Sequence, residues 1–226
     1  LIGLAMKGVI WYQGDDNWNR ASTYADMFTT MIKGWRTEWK QGDFPFYYCQ
    51  IAPYDYALIT APGQEPVQSA LIREAQSQVE HRVPHTGMAV LLDAGMEKGI
   101  HPAKKRLAGE RLGLLALTKT YGIEGVNGES PYYKSMEIQG DTVIVSFERA
   151  DMWISGKECF ESKLFSVAGE DRIFHPAKAW IVRSKMYVRS EKVPHPVAVR
   201  YAFDNYVEGD LFCGGLPLSS FRSDNW

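Results

Sequence analysis

The chain has 226 residues, a formal net charge of −2 at pH 7, 45% hydrophobic residues and 23% charged residues. This balance is typical of a globular protein, and the length allows one large domain or two smaller ones. Because the net charge is small and no apolar run is long enough to span a bilayer, we expect neither nucleic acid nor a membrane as a partner.

The first half of the chain alternates strand patterns with helix patterns. The apolar run at 5–12 is almost continuous, which predicts a strand buried on both faces. In chain order, the patterns predict a strand at 5–12, a helix at 22–40, a strand at 44–53, a helix at 63–80 with Pro66 near its first turn, a strand at 87–95 and a helix at 101–122 that ends at Gly122. This alternation indicates an α/β fold with a parallel sheet.

The second half is predicted to be antiparallel. Short strands recur there, with a hairpin turn at Gly140-Asp141, a second turn near residues 183–185 and a further strand at 195–203. Such strands indicate a β-sandwich-like region. We therefore expect three parts, namely an α/β domain at 1–128, an antiparallel β-rich domain at 129–207 and a tail at 208–226 that packs back on the α/β domain.

Polar residues lie at the tips of two predicted parallel strands. These are Gln13, Gly14, Asp15 and Asn17 after the first strand, and Asp93, Glu97 and His101 after the third. Because ligands bind at the carboxyl edge of such sheets, both groups are candidates for one site. An imidazole titrates near neutral pH, so His101 is the candidate general base, with Asp93 or Glu97 to orient it. Equally, the residues alone allow ordinary polar turns and a histidine that only caps its helix.

Metal or redox chemistry is not indicated. The pair Asp15-Asp16 supplies fewer oxygen ligands than a hard divalent cation needs. The three cysteines, Cys49, Cys159 and Cys213, show neither metal-ligand nor disulfide spacing. We therefore expect no metal and no cofactor.

A nucleophile is harder to find. The α/β half contains Ser22, Ser69 and Ser77. Ser22 is expected to be the N-cap of the first helix, and the other two lie in the second predicted helix. None of them sits in a strand-to-helix turn that would expose a nucleophilic hydroxyl. The residues therefore predict a base and hydrogen-bond donors without a nucleophile.

Seven segments, from about residue 8 to residue 226, carry a family pattern. They read "GVIWYQGDDN", "FPFYYCQIAPY", "LIREAQ", "LLDAGMEKGIHPAKKRLAGERL", "FSVAGEDRIFHPAKA", "VPHPVAVRYAF" and "GLPLSSFRSDNW". In these segments and their order, the chain resembles the sialate O-acetylesterase family of SGNH-type carbohydrate esterases. The resemblance implies a flavodoxin-like hydrolase domain with a β-rich region, and removal of O-acetyl groups from sialic acid or a related sugar through a serine acyl-enzyme.

The resemblance also assigns roles to residues. His101 matches the family's catalytic histidine in "IHP", while Gln13, Gly14 and Asn17 match the block in which an amide helps form the oxyanion hole. The family's serine lies in a GQSN-like block upstream of the first segment, and that block is absent here. The nucleophile is therefore expected to come from outside this sequence.

The sequence departs from the family at two positions that matter for the site. The family's Glu in the block WYQGESN is Asp15 here, one CH₂ shorter. Many SGNH enzymes carry an Asp three residues before the histidine, where this chain has Lys98. The group that orients the histidine is then Asp93, Glu97 or a backbone carbonyl near Gly99, and we favour Asp93 because it lies at a strand tip.

These observations predict the carboxyl-terminal part of a carbohydrate esterase, inactive by itself. We expect its partners to be an acetylated sugar and a missing amino-terminal segment, supplied as a separate chain or replaced by self-association. For the full-length protein the expected location is secreted or periplasmic. The alternative is a non-catalytic carbohydrate-binding chain or pseudo-esterase.

Overall fold

The first half of the chain forms a parallel sheet with helices in the computed structural model, which describes residues 2–62, 68–157 and 161–226. Its elements are β1 (Val9–Trp11), α1 (Ala21–Trp39), β2 (Phe46–Cys49), α2 (Ala70–Arg82), β3 (Thr86–Ala89) and α3 (Lys105–Leu115), with 3₁₀ turns at Asp15–Asn17 and Tyr56–Ile59 and a π-helical turn at Ala116–Thr120. The strand order is β1-β2-β3, and both pairings are parallel. The predicted parallel α/β half is confirmed.

Strand β1 is shorter and more exposed than the sequence predicts. It pairs only with β2, so it is an edge strand of the described sheet. Ile10 is also 69% exposed, so the prediction that this strand is buried on both faces is wrong. An apolar run predicts two-sided burial only if a neighbour covers each face, and that neighbour is not encoded locally.

Helix α1, at the position predicted, buries residues along one side. Tyr24, Phe28 and Ile32, spaced four residues apart, are all buried. Phe28 meets Tyr48 of β2 edge to face, with ring centroids 4.9 Å apart. Such an aromatic pair adds about 0.5–1.5 kcal/mol beyond the area it buries, so this face holds α1 on the sheet.

The helix starts differ from those predicted. Ser22 is not an N-cap, because α1 begins at Ala21 with Arg20 in the cap position. The chain already turns before that point, since the amide of Arg20 donates to the carbonyl of Asn17 at 2.8 Å. Ser69 occupies the cap position of α2, without a capping hydrogen bond from its side chain, rather than lying inside the helix. The predicted start of that helix, including Pro66, lies outside the described residues.

The second half consists of antiparallel sheets, as predicted. Its strands are β4 (Tyr132–Gln139), β5 (Thr142–Glu148), β6 (Ile154–Gly156), β7 (Glu161–Ser162), β8 (Phe165–Ala168), β9 (Phe174–Pro176), β10 (Lys178–Val182), β11 (Lys185–Arg189), β12 (Ala198–Tyr201), β13 (Leu211–Cys213), β14 (Leu216–Pro217) and β15 (Phe221–Arg222). They form sheets of order β4-β5-β11-β10-β7, β15-β12-β8-β9 and β14-β13-β6. Gly140 turns the first hairpin with φ +62°, whereas Arg183 and Ser184 turn the second with positive φ and no glycine.

The two halves share contacts throughout. Buried residues from both contribute to one apolar cluster. In the tail, Arg222 pairs with Glu74 of α2 at 2.9 Å, and the Arg73 guanidinium donates to the Ser220 hydroxyl at 3.0 Å. None of the helices in the described part of the chain has the length and apolar content that crossing a membrane requires.

Candidate active site

The end of β1 is held from behind by two helices. The carbonyl of Gln13 accepts hydrogen bonds from the Tyr24 hydroxyl of α1 at 3.1 Å and from the Gln76 amide of α2 at 3.2 Å. The other end of the Gln76 side chain accepts from the amide of Ile51, just after β2, at 2.8 Å. Gln76 therefore ties the ends of two neighbouring strands together, a role that no local sequence pattern indicates.

Gly14 allows the chain to turn at this point. Its φ is +150°, and a Cβ added here would lie 2.7 Å from Cγ2 of Ile51 and 2.8 Å from Nε2 of Gln76. No side chain fits in that space without displacing one of these groups. The glycine therefore lets the backbone pass close to the strand ends before the turn at Asp15–Asn17.

The two predicted amides form a pair. Nε2 of Gln13 donates to Oδ1 of Asn17 at 2.6 Å, and the Gln13 oxygen lies 3.4 Å from the Tyr24 hydroxyl that donates to it. Both the nitrogen and the oxygen of the Gln13 side-chain amide thus take part in hydrogen bonds. Within the described residues the Nδ2 donor of Asn17 has no partner. The pair therefore orients Asn17 so that its N–H groups remain available to an anionic oxygen.

Asp15 lies in a polar cluster that the sequence only partly predicts. Burial raises the pKa of its carboxyl, while the Tyr56 hydroxyl, which donates to it at 3.1 Å, and the charges of Lys105 and His101 act to lower that pKa. Trp18 stacks on Tyr56 at 5.7 Å. Tyr56 lies in the loop after β2, so applying the strand-tip rule to all three strands would have found it.

Asp93 is engaged in a buried ion pair. Both of its oxygens accept from Arg111 of α3, at 2.6 and 2.7 Å, and the two side chains are 13% and 6% exposed. Burial acts to raise the pKa of Asp93, but the hydrogen bonds and charge of Arg111 outweigh it and lower the pKa below its usual 3.8. The Lys104 ammonium also donates to the Asp93 carbonyl at 3.0 Å.

His101 stands exposed in the loop before α3. It makes no hydrogen bond to any of the residues that the structure describes, and Lys104 occupies the cap position of the helix. The interpretation of His101 as a helix cap is therefore wrong. Glu97 is also exposed, and its carbonyl accepts from the amide of Asp55 at 3.2 Å.

The loops after the three strands pack against one another. A Cβ on Gly95 would lie 2.2 Å from the Pro53 carbonyl, which itself accepts from the amide of Met96 at 3.2 Å. The structure thereby brings His101 close enough to Asp15 for their charges to interact. It does not join His101 to Asp93 or Glu97 by a hydrogen bond among the described residues.

The described residues offer no evident nucleophile beside the imidazole. No serine hydroxyl among them bonds to a histidine, and burial raises the pKa of the Cys49 thiol to about 12, which keeps it protonated. The same residues include no group of three or more His, Cys, Asp or Glu side chains placed to hold a metal ion.

Comparison with known proteins identifies the family pattern. Residues 2–104 match the family described as "Carbohydrate esterase, sialic acid-specific acetylesterase". Over 150 residues the chain is 30% identical to the sialate O-acetylesterase of Rattus norvegicus, with 61% of this chain and 28% of that protein covered. The human sialate O-acetylesterase is 27% identical over 150 residues, with 61% and 29% covered.

A solved structure extends the similarity to the whole chain. A carbohydrate acetylesterase from Xanthomonas citri is 36% identical and superposes with a TM-score of 0.88, which covers 98% of this chain and 51% of that one. The chain thus spans about half the length of this relative and under a third of the curated ones. The resemblance and the fold class predicted from the sequence are confirmed.

Proposed function

We propose that the chain carries the base and the oxyanion donor of a carbohydrate O-acetylesterase, starting from the match of residues 2–104 to the family of sialic acid-specific acetylesterases. One observation carries the proposal. At the carboxyl edge of the parallel sheet, the strand-end loops bring together an amide with free donors (Asn17), held by Gln13, and an exposed imidazole (His101), whose charge interacts with Asp15. Acyl transfer needs those two groups together.

The proposed reaction removes an acetyl group from a hydroxyl of sialic acid or a related sugar. A serine from outside these residues attacks the acetyl carbonyl while His101 takes its proton, and Asn17 donates to the oxyanion that forms. The same imidazole then gives the proton to the departing sugar oxygen. Water, activated in turn by His101, hydrolyses the acyl-enzyme and releases acetate.

The carboxylates receive different proposed roles. Asp15 faces the imidazolium that forms during attack and stabilises its charge. Asp93 is proposed as the positioning residue for His101, ahead of Glu97. The ion pair with Arg111 holds the Asp93 carboxylate at the strand end, and each of its oxygens keeps a second lone pair for an imidazole N–H.

Activity tests the base and the donor directly. In the intact protein that contains this chain, His101→Ala and Asn17→Ala should each lower kcat for p-nitrophenyl acetate by at least about 10²-fold. His195→Ala, at an exposed histidine of the antiparallel half, is the matched control and should retain wild-type kcat. A His101→Ala enzyme with more than half of the wild-type kcat would contradict the assignment.

The role of Asp93 needs a control for its ion pair. Asp93→Asn and Arg111→Gln both break that pair, but only Asp93→Asn removes the carboxylate. If Asp93 orients the base, Asp93→Asn should lower kcat more than either Arg111→Gln or Glu97→Gln, and should shift the acidic limb of the pH profile of kcat/KM. Equal losses for the two ion-pair variants would make Asp93 purely structural.

The open edge of β1 is proposed to receive the segment that brings the serine. The sheet face next to this edge carries a groove lined by Val9, Ile10, Tyr47, Ala116 and Tyr121, among others, and Ile10 is 69% exposed. An unpaired, apolar strand edge favours pairing with another strand. The 226-residue chain purified alone should therefore self-associate in light scattering and release no acetate, whereas a monodisperse monomer would count against this proposal.

A non-catalytic sugar-binding role is the second candidate, favoured by the lack of a serine–histidine hydrogen bond among the described residues. It predicts that the intact protein binds acetylated sialic acid without releasing acetate. Turnover that His101→Ala abolishes would exclude it.

A further inference from the structure

The sheet β4-β5-β11-β10-β7 carries a stacked pair of aromatic rings on one face. Trp180 of β10 lies opposite Tyr187 of β11, with ring centroids 5.9 Å apart and planes inclined by 26°. Both residues are half-buried, whereas Ala179 and Val188, at the alternate positions, are fully buried. Because successive residues of a strand face opposite sides, the two rings lie on the solvent side of the sheet.

Charged side chains of both signs surround the rings. Lys178 and Arg189 are opposite one another on the same face, and Glu161 of β7 is opposite Trp180. The Lys178 ammonium lies 3.8 Å from the Glu161 carboxylate, and these side chains remain 72% and 59% exposed. A cavity of about 540 Å³ lies here, lined by Glu161, Lys178, Trp180, Arg189 and Glu191.

A cross-strand aromatic pair stabilises a sheet by itself, but that role does not account for an open cavity edged with carboxylates and cations. Nor does the cavity resemble the centre of a protein interface, where lysine and glutamate are depleted. A sugar ring, in contrast, has one apolar face of C–H groups and a rim of hydroxyls that both donate and accept. A cavity in this size range accommodates a small ligand, and the aromatic and charged groups match both parts of the sugar.

We propose that Trp180 and Tyr187 form a saccharide platform, a second sugar-binding site on the antiparallel half. A sugar ring of a glycan stacks on Trp180, which Tyr187 supports from the neighbouring strand, and its hydroxyls bond to Glu161, Lys178 and Arg189. This site goes beyond the proposed acetylesterase and does not depend on it. Its function is to hold a glycan by one of its sugar units.

Saturation-transfer NMR with lactose and with sialyllactose as probes tests the platform on the intact protein. Binding of an isolated saccharide at one such site is expected with a Kd on the order of 1 mM. Trp180→Ala and Tyr187→Ala should each weaken it at least about tenfold, while Trp180→Phe, which keeps an apolar ring, should retain binding. Trp153→Ala, at an exposed aromatic residue outside this sheet, is the matched control and should bind as wild type.

The outcomes separate this site from the candidate active site. Acetate release from p-nitrophenyl acetate should be unchanged in all four variants, so a failure of the proposed esterase leaves this test intact. The platform is supported if Trp180→Ala and Tyr187→Ala lose binding of either probe while the other two variants keep it. If Trp180→Ala does not fold, the result for Tyr187→Ala decides. Wild-type protein that binds neither probe, variants that bind normally, or a dimer in light scattering that dissociates in Trp180→Ala would each overturn it.

Discussion

Replacing Gly14 by alanine should destabilise the protein strongly, because the strand end has no room for a side chain. The backbone at φ +150° is one that an L-residue avoids, at about 1–3 kcal/mol. The added Cβ would also lie 2.7 Å from Ile51, and relieving such overpacking costs about another 1–3 kcal/mol. Moving Gln76 away instead would break its hydrogen bonds to Gln13 and Ile51, at about 1 kcal/mol each.

The expected loss is therefore about 2–6 kcal/mol of the free energy of unfolding, a large part of the ~5–15 kcal/mol of a typical domain. Urea denaturation followed by circular dichroism measures it as a fall in the midpoint. The matched control is Gly34→Ala, in the interior of α1, where a Cβ meets nothing within 4 Å and φ is helical. That variant should gain up to about 1 kcal/mol from helix propensity. A Gly14→Ala protein within about 0.5 kcal/mol of wild type would refute the packing argument.

Three further changes test the electrostatics and one turn. Tyr56→Phe removes a hydrogen bond that lowers the pKa of Asp15, so that pKa should rise further in a carboxyl NMR titration, and an unchanged titration would contradict the contact. Asp93→Asn leaves Arg111 buried without its partner, which should cost about 3–5 kcal/mol at neutral pH in urea denaturation. Since the folded pKa of Asp93 lies below 3.8, its contribution is present above pH 3.8 and is lost as the pH falls through the lowered value, so the variant should lose less stability over that range. Ser184→Gly should raise the thermal midpoint by relieving a φ of +62°, and a fall would contradict that strain.

Local patterns predict the elements well because their causes are local. Helix α1 and the Gly140 turn depend on spacing of four residues or fewer, and both form as expected. The exposure of Ile10 depends instead on which elements pack on the face of β1, and the second hairpin turns without glycine at Arg183 and Ser184. Periodicity contains neither kind of information, because one is a long-range packing contact and the other is a strain that the rest of the sheet compensates.

The candidate site likewise has a part that local sequence predicts and a part that depends on tertiary contacts. The rule that ligands bind at the carboxyl ends of parallel strands is enough to select Asn17, Asp93 and His101 from the sequence. It does not reveal that Asp93 is paired with Arg111, 18 residues along the chain, because that contact requires α3 to lie against the sheet. The partner determines what the carboxylate does, and the partner is a tertiary feature.

Burial raises the pKa of Asp15, whereas Arg111 lowers the pKa of Asp93 against the effect of burial. This contrast favours different roles for the two carboxylates. Arg111 supplies Asp93 with a full countercharge, and this ion pair holds the carboxylate at the strand end. Among the described residues, the side-chain group that bonds to the Asp15 carboxylate is the neutral Tyr56 hydroxyl, and burial still raises the pKa of Asp15, so a positive charge that forms nearby stabilises its ionised form. In the proposed reaction, the imidazole of His101 supplies that charge when it takes the proton of the nucleophile. A carboxylate short of countercharge therefore suits the proposed role of Asp15, whereas the ion pair with Arg111 fixes the Asp93 carboxylate in place for its proposed role of positioning His101.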